Sequence, residues 1–205
     1  VLADLILESE ASIALSMRTA RSLDNRESDE HEAALSRVLA PIGKFWICKR
    51  TPGHAYEAME CIGGSGVMEE SIMPRLYREA PVNAIWEGSG NIQCLDMLRA
   101  MNRMPDSLSA LIDELKKGRG KHDLYNRFTT ELFEELGALR GSEPTDLEYK
   151  ARDIVGRLAL ALEACVLLEG NNTNIAEAFC QGRLGPNKGF LYGNLPVGLD
   201  TAAII

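Results

Sequence analysis

The sequence predicts an all-α protein, and three observations lead there. Apolar residues recur at three- and four-residue spacings through most of the chain, the period of one buried helix face. No segment alternates apolar and polar residues as a half-buried strand would, and no internal repeat is present. The breaks between periodic segments carry helix-boundary chemistry, with Ser, Thr and Asp at starts and Gly or Pro at stops.

Residues 2–23 set Leu2, Leu5, Ile6, Ile13, Leu15, Met17 and Leu23 among Ala and Ser, an amphipathic helix with small residues for close packing. A polar break at 24–29 offers Ser28 or Asp29 as the next cap. A second helix is expected from about Glu30 to Arg50, bent at Pro41 where a backbone bond is lost. Thr51-Pro52 reads as cap and first turn of a third helix to about Cys61. Ile62-Gly63-Gly64-Ser65-Gly66 then forms a tight turn or a backbone pressed against something. It is not a dinucleotide fingerprint, because no strand pattern precedes it and the third glycine is missing. A short helix follows over 70–78, with Pro74 near its start, and another runs to about Asn102. Pro105-Asp106 marks a boundary between segments 1–104 and 105–205. Beyond it, helices are expected near 106–117, 121–138, 145–169 and 172–183. The tail is irregular, but Phe190, Leu191, Tyr192, Leu195 and Val197 predict that it packs on the body.

Between the short helix and the segment ending near Asn102 lies Ala84-Ile85-Trp86-Glu87-Gly88-Ser89-Gly90-Asn91-Ile92-Gln93. One carboxylate sits between an apolar doublet and a Gly-Ser-Gly turn, at the mouth of a helix. Glycines let a ligand approach the backbone closely. Desolvation by Ile85 and Trp86 would favour the protonated acid, and the helix N-terminus would favour the ionised form. This is a suitable setting for a base that removes a proton from carbon. The structural alternative is that Glu87 ends one element and Ser89 caps the next.

Composition narrows the function classes. The chain has 205 residues, 45% hydrophobic and 25% charged, with a net charge of −8, which argues against broad binding to nucleic acid or an anionic membrane. Residues 1–102 carry 10 basic and 15 acidic side chains, and residues 103–205 carry 12 and 15, so neither half is basic. One basic cluster, Lys116-Lys117-Gly118-Arg119-Gly120-Lys121-His122, reads as a solvated loop or, with Arg127, as a local anion patch. Five cysteines without a C-x-x-C pair read as reduced thiols of a cytoplasmic protein. The three histidines have no metal-ligand spacing. No run of 18 apolar residues offers a membrane span. The chain opens without Met and in the middle of a helical pattern, as a piece of a longer protein would.

Three stretches taken together resemble a known family. Glu60-Cys61-Ile62-Gly63-Gly64-Ser65-Gly66-Val67-Met68-Glu69-Glu70, then Arg75-Leu76-Tyr77-Arg78-Glu79-Ala80 and Ile85-Trp86-Glu87-Gly88-Ser89, resemble the C-terminal helical domain of acyl-CoA dehydrogenases. Asn91 and Cys94-Leu95-Asp96 make the AidB-like branch, linked to the bacterial alkylation response, the nearest in pattern. The resemblance covers roughly residues 1–102. Residues 103–205, including Phe179-Cys180-Gln181-Gly182-Arg183-Leu184, resemble that branch's C-terminal helical extension.

The resemblance implies most of the family's C-terminal antiparallel helical bundle over 1–104, with a helical extension over 105–205. It implies FAD as cofactor, an acyl-CoA thioester as substrate, and a homo-oligomer. Glu87 would be the base that takes the α-proton while hydride leaves the β-carbon for the flavin, although some relatives place this base on another helix. Gly63 and Gly64 would meet FAD from the neighbouring subunit. Ser89 and Asn91 would be polar contacts of the flavin nucleotide. Glu60 stands where many relatives have Gln, and an ionised Glu cannot donate a hydrogen bond. The other function carried by the resemblance is DNA binding through the extension, with Lys116, Lys117, Arg119 and Lys121 as contacts and little or no dehydrogenase activity. A third reading makes the extension an oligomerisation surface.

Overall fold

A computed structural model describes residues 1–138, 143–185 and 191–205 of the chain. Its first two helices form a hairpin. Helix α1 (Leu2–Asn25) ends in a short polar turn, and α2 (Glu30–Ile62) starts at Asp29, whose Oδ1 accepts the backbone N–H groups of His31 and Glu32 at 2.8 and 3.2 Å. This satisfies two donors that a helix start leaves open. Side-chain ties running Ser22 to Glu32 and Arg50 to Glu8 show the antiparallel register. The 33-residue α2 passes through both Pro41 and Pro52. The third helix expected at Thr51-Pro52 is therefore the second half of α2. Thr51 Oγ1 donates back to the Ile47 carbonyl at 2.8 Å instead of capping, and Arg50 to Glu8 and His54 to Ser9 tie α2 to α1 on either side of Pro52.

Gly63–Gly66 is a single 3-10 turn. Helix α3 (Met73–Glu79) begins three residues later than expected from Glu70, with Pro74 in its first turn, where its missing N–H is not needed. A 3-10 turn at Ala80–Ala84 leads to the Glu87 turn and then α4 (Gly90–Arg103). Helix α4 runs antiparallel to α2, because Asp96 pairs with Arg37 while Gly90 lies against Phe45.

The remaining helices are α5 (Pro105–Lys116), α6 (Asp123–Ala138), α7 (Pro144–Glu169) and α8 (Thr173–Phe179). Helix α8 continues into a π-helical turn, Cys180–Leu184, which completes the segment expected over 172–183. The Ala- and Leu-rich α7 touches α1, α2, α4, α5, α6 and α8. Leu158, Ala159, Ala161, Leu162 and Ala164 on it are fully buried, so almost its whole circumference is core. At Gly156 the backbone comes so close to Trp46 of α2 that a Cβ would stand 3.1 Å from the indole. One continuous hydrophobic cluster draws on both segment 1–104 and segment 105–205. Among the described residues there is no strand, and no helix is long and apolar enough to cross a membrane.

The tail packs only in part as expected. Leu195 lies against Gly182 and Ile204 is buried, whereas Leu191 and Val197 are exposed. Phe190 lies outside the described residues. Cys94, Cys165 and Cys180 are buried thiols, Cys48 is half-buried and Cys61 is exposed.

Candidate active site

The Glu87 turn stands apart in its backbone. Glu87 has φ 53°, the one positive value at a non-glycine residue among those described, and Gly88 follows at 109°. Two successive left-handed residues reverse the chain between the 3-10 turn and α4. Glutamate tolerates this region poorly, so a surrounding structure has to hold it there. Gln93 does so: its Nε2 donates to the carbonyls of Glu87 at 3.1 Å and Gly88 at 3.4 Å. Gly88 must stay bare, since a Cβ would lie 2.4 Å from that same Nε2. The backbone is thus pinned from α4, and the Glu87 carboxylate points free and exposed. Gln93 was not singled out from the sequence; its spacing of five from Gly88, back across one helical turn, was the available signal.

The apolar enclosure expected from Ile85 and Trp86 is not made within the chain: they are 66% and 56% exposed. The 3-10 turn that precedes them packs on α2. Ser89 occupies the N-cap position of α4 with extended backbone but makes no side-chain capping bond. Its hydroxyl is left available, as is Asn91, which is exposed. Ser89 and Asn91 line an open groove of about 610 Å³ together with Pro81, Ile85, Lys49 of α2 and Arg152 of α7.

Glu60, Gly63 and Gly64 sit at the far end of α2. Gly63 has φ 73° and its N–H closes the helix on the Glu60 carbonyl. A Cβ at Gly63 or Gly64 would meet nothing within 4 Å, whereas at Gly66 it would strike the Met59 carbonyl at 2.5 Å. The first two glycines therefore present open backbone, and the last is needed for the turn itself. Glu60 is exposed and hydrogen-bonds Tyr56, whose phenol is pushed up by the neighbouring negative charge. Phe45, beside the Glu87 turn, and Gly63 are separated by about 27 Å of helix. The single chain does not bring the two predicted halves of the site together.

A buried polar cluster went unread in the sequence. Glu8 accepts from Arg50 and Arg183, and Asp4 accepts from Arg183 and from the Gly193 N–H at 2.8 Å. Glu163 of α7 is buried with Oε2 bonded to Trp46 Nε1 at 3.0 Å and Oε1 unpartnered. Burial pushes the Glu163 carboxyl up to about 8, with the nearby Glu8 charge adding to it. Glu8 also loses solvation, but its two arginines win and hold it below the usual carboxylate range. His54 joins the edge of this cluster through Ser9 at 3.4 Å and Tyr192 at 3.3 Å, and burial lowers its affinity for a proton. These residues lie far apart in sequence, and only packing of the extension on α1 and α2 makes them neighbours.

The basic cluster is largely compensated where it stands. Lys116 pairs with Asp113 at 2.8 Å, Lys117 with Glu114 at 2.6 Å, and Lys121 with Glu169. Arg119 bonds the Thr130 hydroxyl at 3.0 Å and covers the Phe133 ring.

Comparison with known proteins agrees with this architecture. The model of the acyl-CoA dehydrogenase C-terminal domain matches residues 1–102. AidB of Escherichia coli (strain K12) is 39% identical over 189 residues, which is 92% of this chain and 34% of AidB. The structure of Caenorhabditis elegans ACDH-11 in complex with C11-CoA superposes with a TM-score of 0.76 at 25% identity, over 85% of this chain and 34% of that one. The structure of Bd2924 in its apo form gives 0.68 at 30% identity, over 80% and 31%. The chain thus spans about a third of the length of these relatives. The likeness to AidB runs over 92% of the chain, well beyond the residues 1–102 that match the C-terminal domain, and the chain belongs to the acyl-CoA dehydrogenase family.

Proposed function

We propose that this chain is the C-terminal part of a flavin-dependent acyl-CoA dehydrogenase, with Glu87 as the base that removes the α-proton of an acyl-CoA thioester. The observation that carries the reading is the Glu87 turn. A carboxylate is held on a strained, side-chain-pinned backbone in a family whose relative ACDH-11 has been seen with C11-CoA.

The residues present fit the cofactor the family implies. Ser89 and Asn91 offer uncommitted polar groups on a groove that also holds two cations, suited to a phosphate-bearing nucleotide. Gly63 and Gly64 offer bare backbone for approach from a second subunit. Glu60 in its ionised form would act only as an acceptor there. When bound, FAD supplies the acceptor for hydride from the β-carbon. Glu87 supplies the general base, a role that requires its carboxylate within hydrogen-bond reach of the α-carbon's proton. Gln93 fixes the two carbonyls behind that carboxylate, so the acid can reach forward without the turn moving. Donors placed at the thioester oxygen would stabilise the enolate that forms.

Ile85 and Trp86 become an apolar enclosure only when another surface covers them. Exposed Val67, Met68, Ile72, Leu76 and Ile92 belong to the same stretch of chain, and this much exposed apolar surface favours a homo-oligomer. DNA binding through the extension has less support, because three of its four candidate cations are already paired with carboxylates.

The test is Glu87→Gln in the full-length protein. The amide keeps the size and hydrogen-bonding reach but accepts no proton. The variant should keep its flavin spectrum and bind acyl-CoA, yet lose flavin reduction by on the order of 10²-fold or more. Glu87→Asp should recover only part, since it withdraws the carboxylate by roughly 1 Å. Reduction at the wild-type rate in Glu87→Gln would remove Glu87 from the chemistry.

A further inference from the structure

The groove beside the Glu87 turn contains two cations, and they come from parts of the chain that nothing in the motif itself would join. Lys49 lies on α2 and Arg152 on α7, in the extension. Arg18, Arg37, Arg50, Arg75, Arg78, Arg157 and Arg183 contact carboxylates, whereas Arg152, like several other described arginines, does not. Lys49 and Arg152 make no ion pair among the described residues, and none of the side chains lining the groove is acidic. In a chain of net charge −8, two uncompensated cations facing one groove leave a local positive field that an anionic group would satisfy.

Packing holds one of them in place. The Arg152 guanidinium lies 5.7 Å from the centre of the Phe45 ring, and the same ring meets the backbone at Gly90, where a Cβ would be 3.2 Å from Cδ2. Phe45 thus joins Arg152 of the extension to the start of α4, and Arg152 lines the same groove as Ser89 and Asn91. Pro81 and Ile85 give the same groove an apolar wall.

We infer that Lys49 and Arg152 form a phosphate subsite for a nucleotide ligand of the proposed dehydrogenase, so that the extension supplies one charge of the binding site. This rests on the proposed function. The shared chemistry is a phosphate or diphosphate attached to a nucleoside, which FAD and coenzyme A both carry. A planar guanidinium suits two phosphate oxygens at once, and lysine adds a point charge.

The experiment is calorimetric titration of the full-length protein, stripped of flavin, with FAD and separately with coenzyme A. It compares the wild type with Lys49→Met, Arg152→Gln, Arg152→Lys and, as an equal charge change on α7 outside the groove, Lys150→Gln. Lys49→Met and Arg152→Gln should each weaken one nucleotide by on the order of tenfold. Arg152→Lys should recover part of the loss, and Lys150→Gln should stay within about twofold of the wild type, as expected of a screened surface charge. Weakening confined to FAD assigns the groove to the cofactor, and weakening confined to coenzyme A assigns it to the substrate. Unchanged affinity for both nucleotides in Lys49→Met and Arg152→Gln overturns the inference while leaving the proposed function standing. Should loss of the Phe45 contact unfold Arg152→Gln, Lys49→Met decides alone. A wild type that binds neither nucleotide overturns both.

Discussion

The buried cluster at the junction of α1, α2, α7 and the π-helical turn holds three carboxyl groups and two guanidiniums. Asp4 and Glu8 take the arginines, so Glu163 is left without a cation and with one oxygen unbonded. A neutral acid satisfies that geometry better than a carboxylate. With Glu163 raised from 4.5 to about 8 in the folded chain, the folded state keeps a proton that the unfolded state releases above pH ~4.5. Its contribution to stability is therefore fully present in acid and declines as pH rises, by about 1.4 kcal/mol per unit, levelling off near pH 8. Glu163→Gln keeps the acceptor for Trp46, adds a donor where Oε1 stands, and does not titrate. Thermal or urea unfolding of both proteins from pH 5 to pH 8 should show the variant gaining on the wild type by about 3 kcal/mol between pH 5 and pH 7. The salt-bridged acids with lowered affinity, Glu8, Glu32, Asp96 and Glu114, lose their contribution as pH falls towards and below pH ~4.5 and are common to both proteins. The difference curve therefore isolates Glu163. Parallel profiles for the two proteins would refute a neutral Glu163.

Gly88→Ala forces a Cβ onto Gln93 and a left-handed conformation onto alanine; it should cost about 1–3 kcal/mol in unfolding measurements. Gln93→Ala removes the two bonds that pin the Glu87 turn; flavin reduction in the full-length protein should fall about tenfold or more with unfolding changed by about 1 kcal/mol. Activity loss without the larger unfolding penalty is the mark of a positioning residue, and unchanged reduction would remove Gln93 from that role. On the DNA-binding alternative, affinity should be weak and salt-sensitive, and replacing Lys116, Lys117, Arg119 and Lys121 together by Gln should abolish it. Tight binding that survives the change would place the DNA contact elsewhere.

The fold was legible because local rules and packing agree over most of the chain. Asp29 caps α2 as its position before the apolar run suggested, and Asn172 caps α8 by accepting the Ile175 N–H. The rules failed where a tertiary surface outweighed a local preference. Thr51-Pro52 carries the signature of a helix start, yet α2 continues through it, tied to α1 on either side by Arg50 to Glu8 and His54 to Ser9. Of the site, the Glu87 motif and the glycine turn were readable as short strings with unusual backbone needs. Lys49, Arg152 and Glu163 were not, because each is an ordinary member of a helix until another helix is laid against it.

The strain at Glu87 and the exposure of its neighbours have a common explanation. Stability in this chain comes from the cluster around α7 and from buried ion pairs such as Arg18 with Glu32 and Glu114. Burial disfavours the charges of that triad, but mutual hydrogen bonds outweigh it: Arg18 is held more strongly protonated, and Glu32 and Glu114 more strongly ionised, than in water. The segment from Val67 to Ile92 contributes little to that core, with Ala80 among its few buried side chains. Such a segment can hold a left-handed glutamate and leave Ile85 and Trp86 uncovered, because the energy that keeps the chain folded is generated elsewhere. In the proposed role of Glu87, an enclosure completed by a second surface would strip water from its carboxylate and strengthen it as a base for proton transfer from carbon.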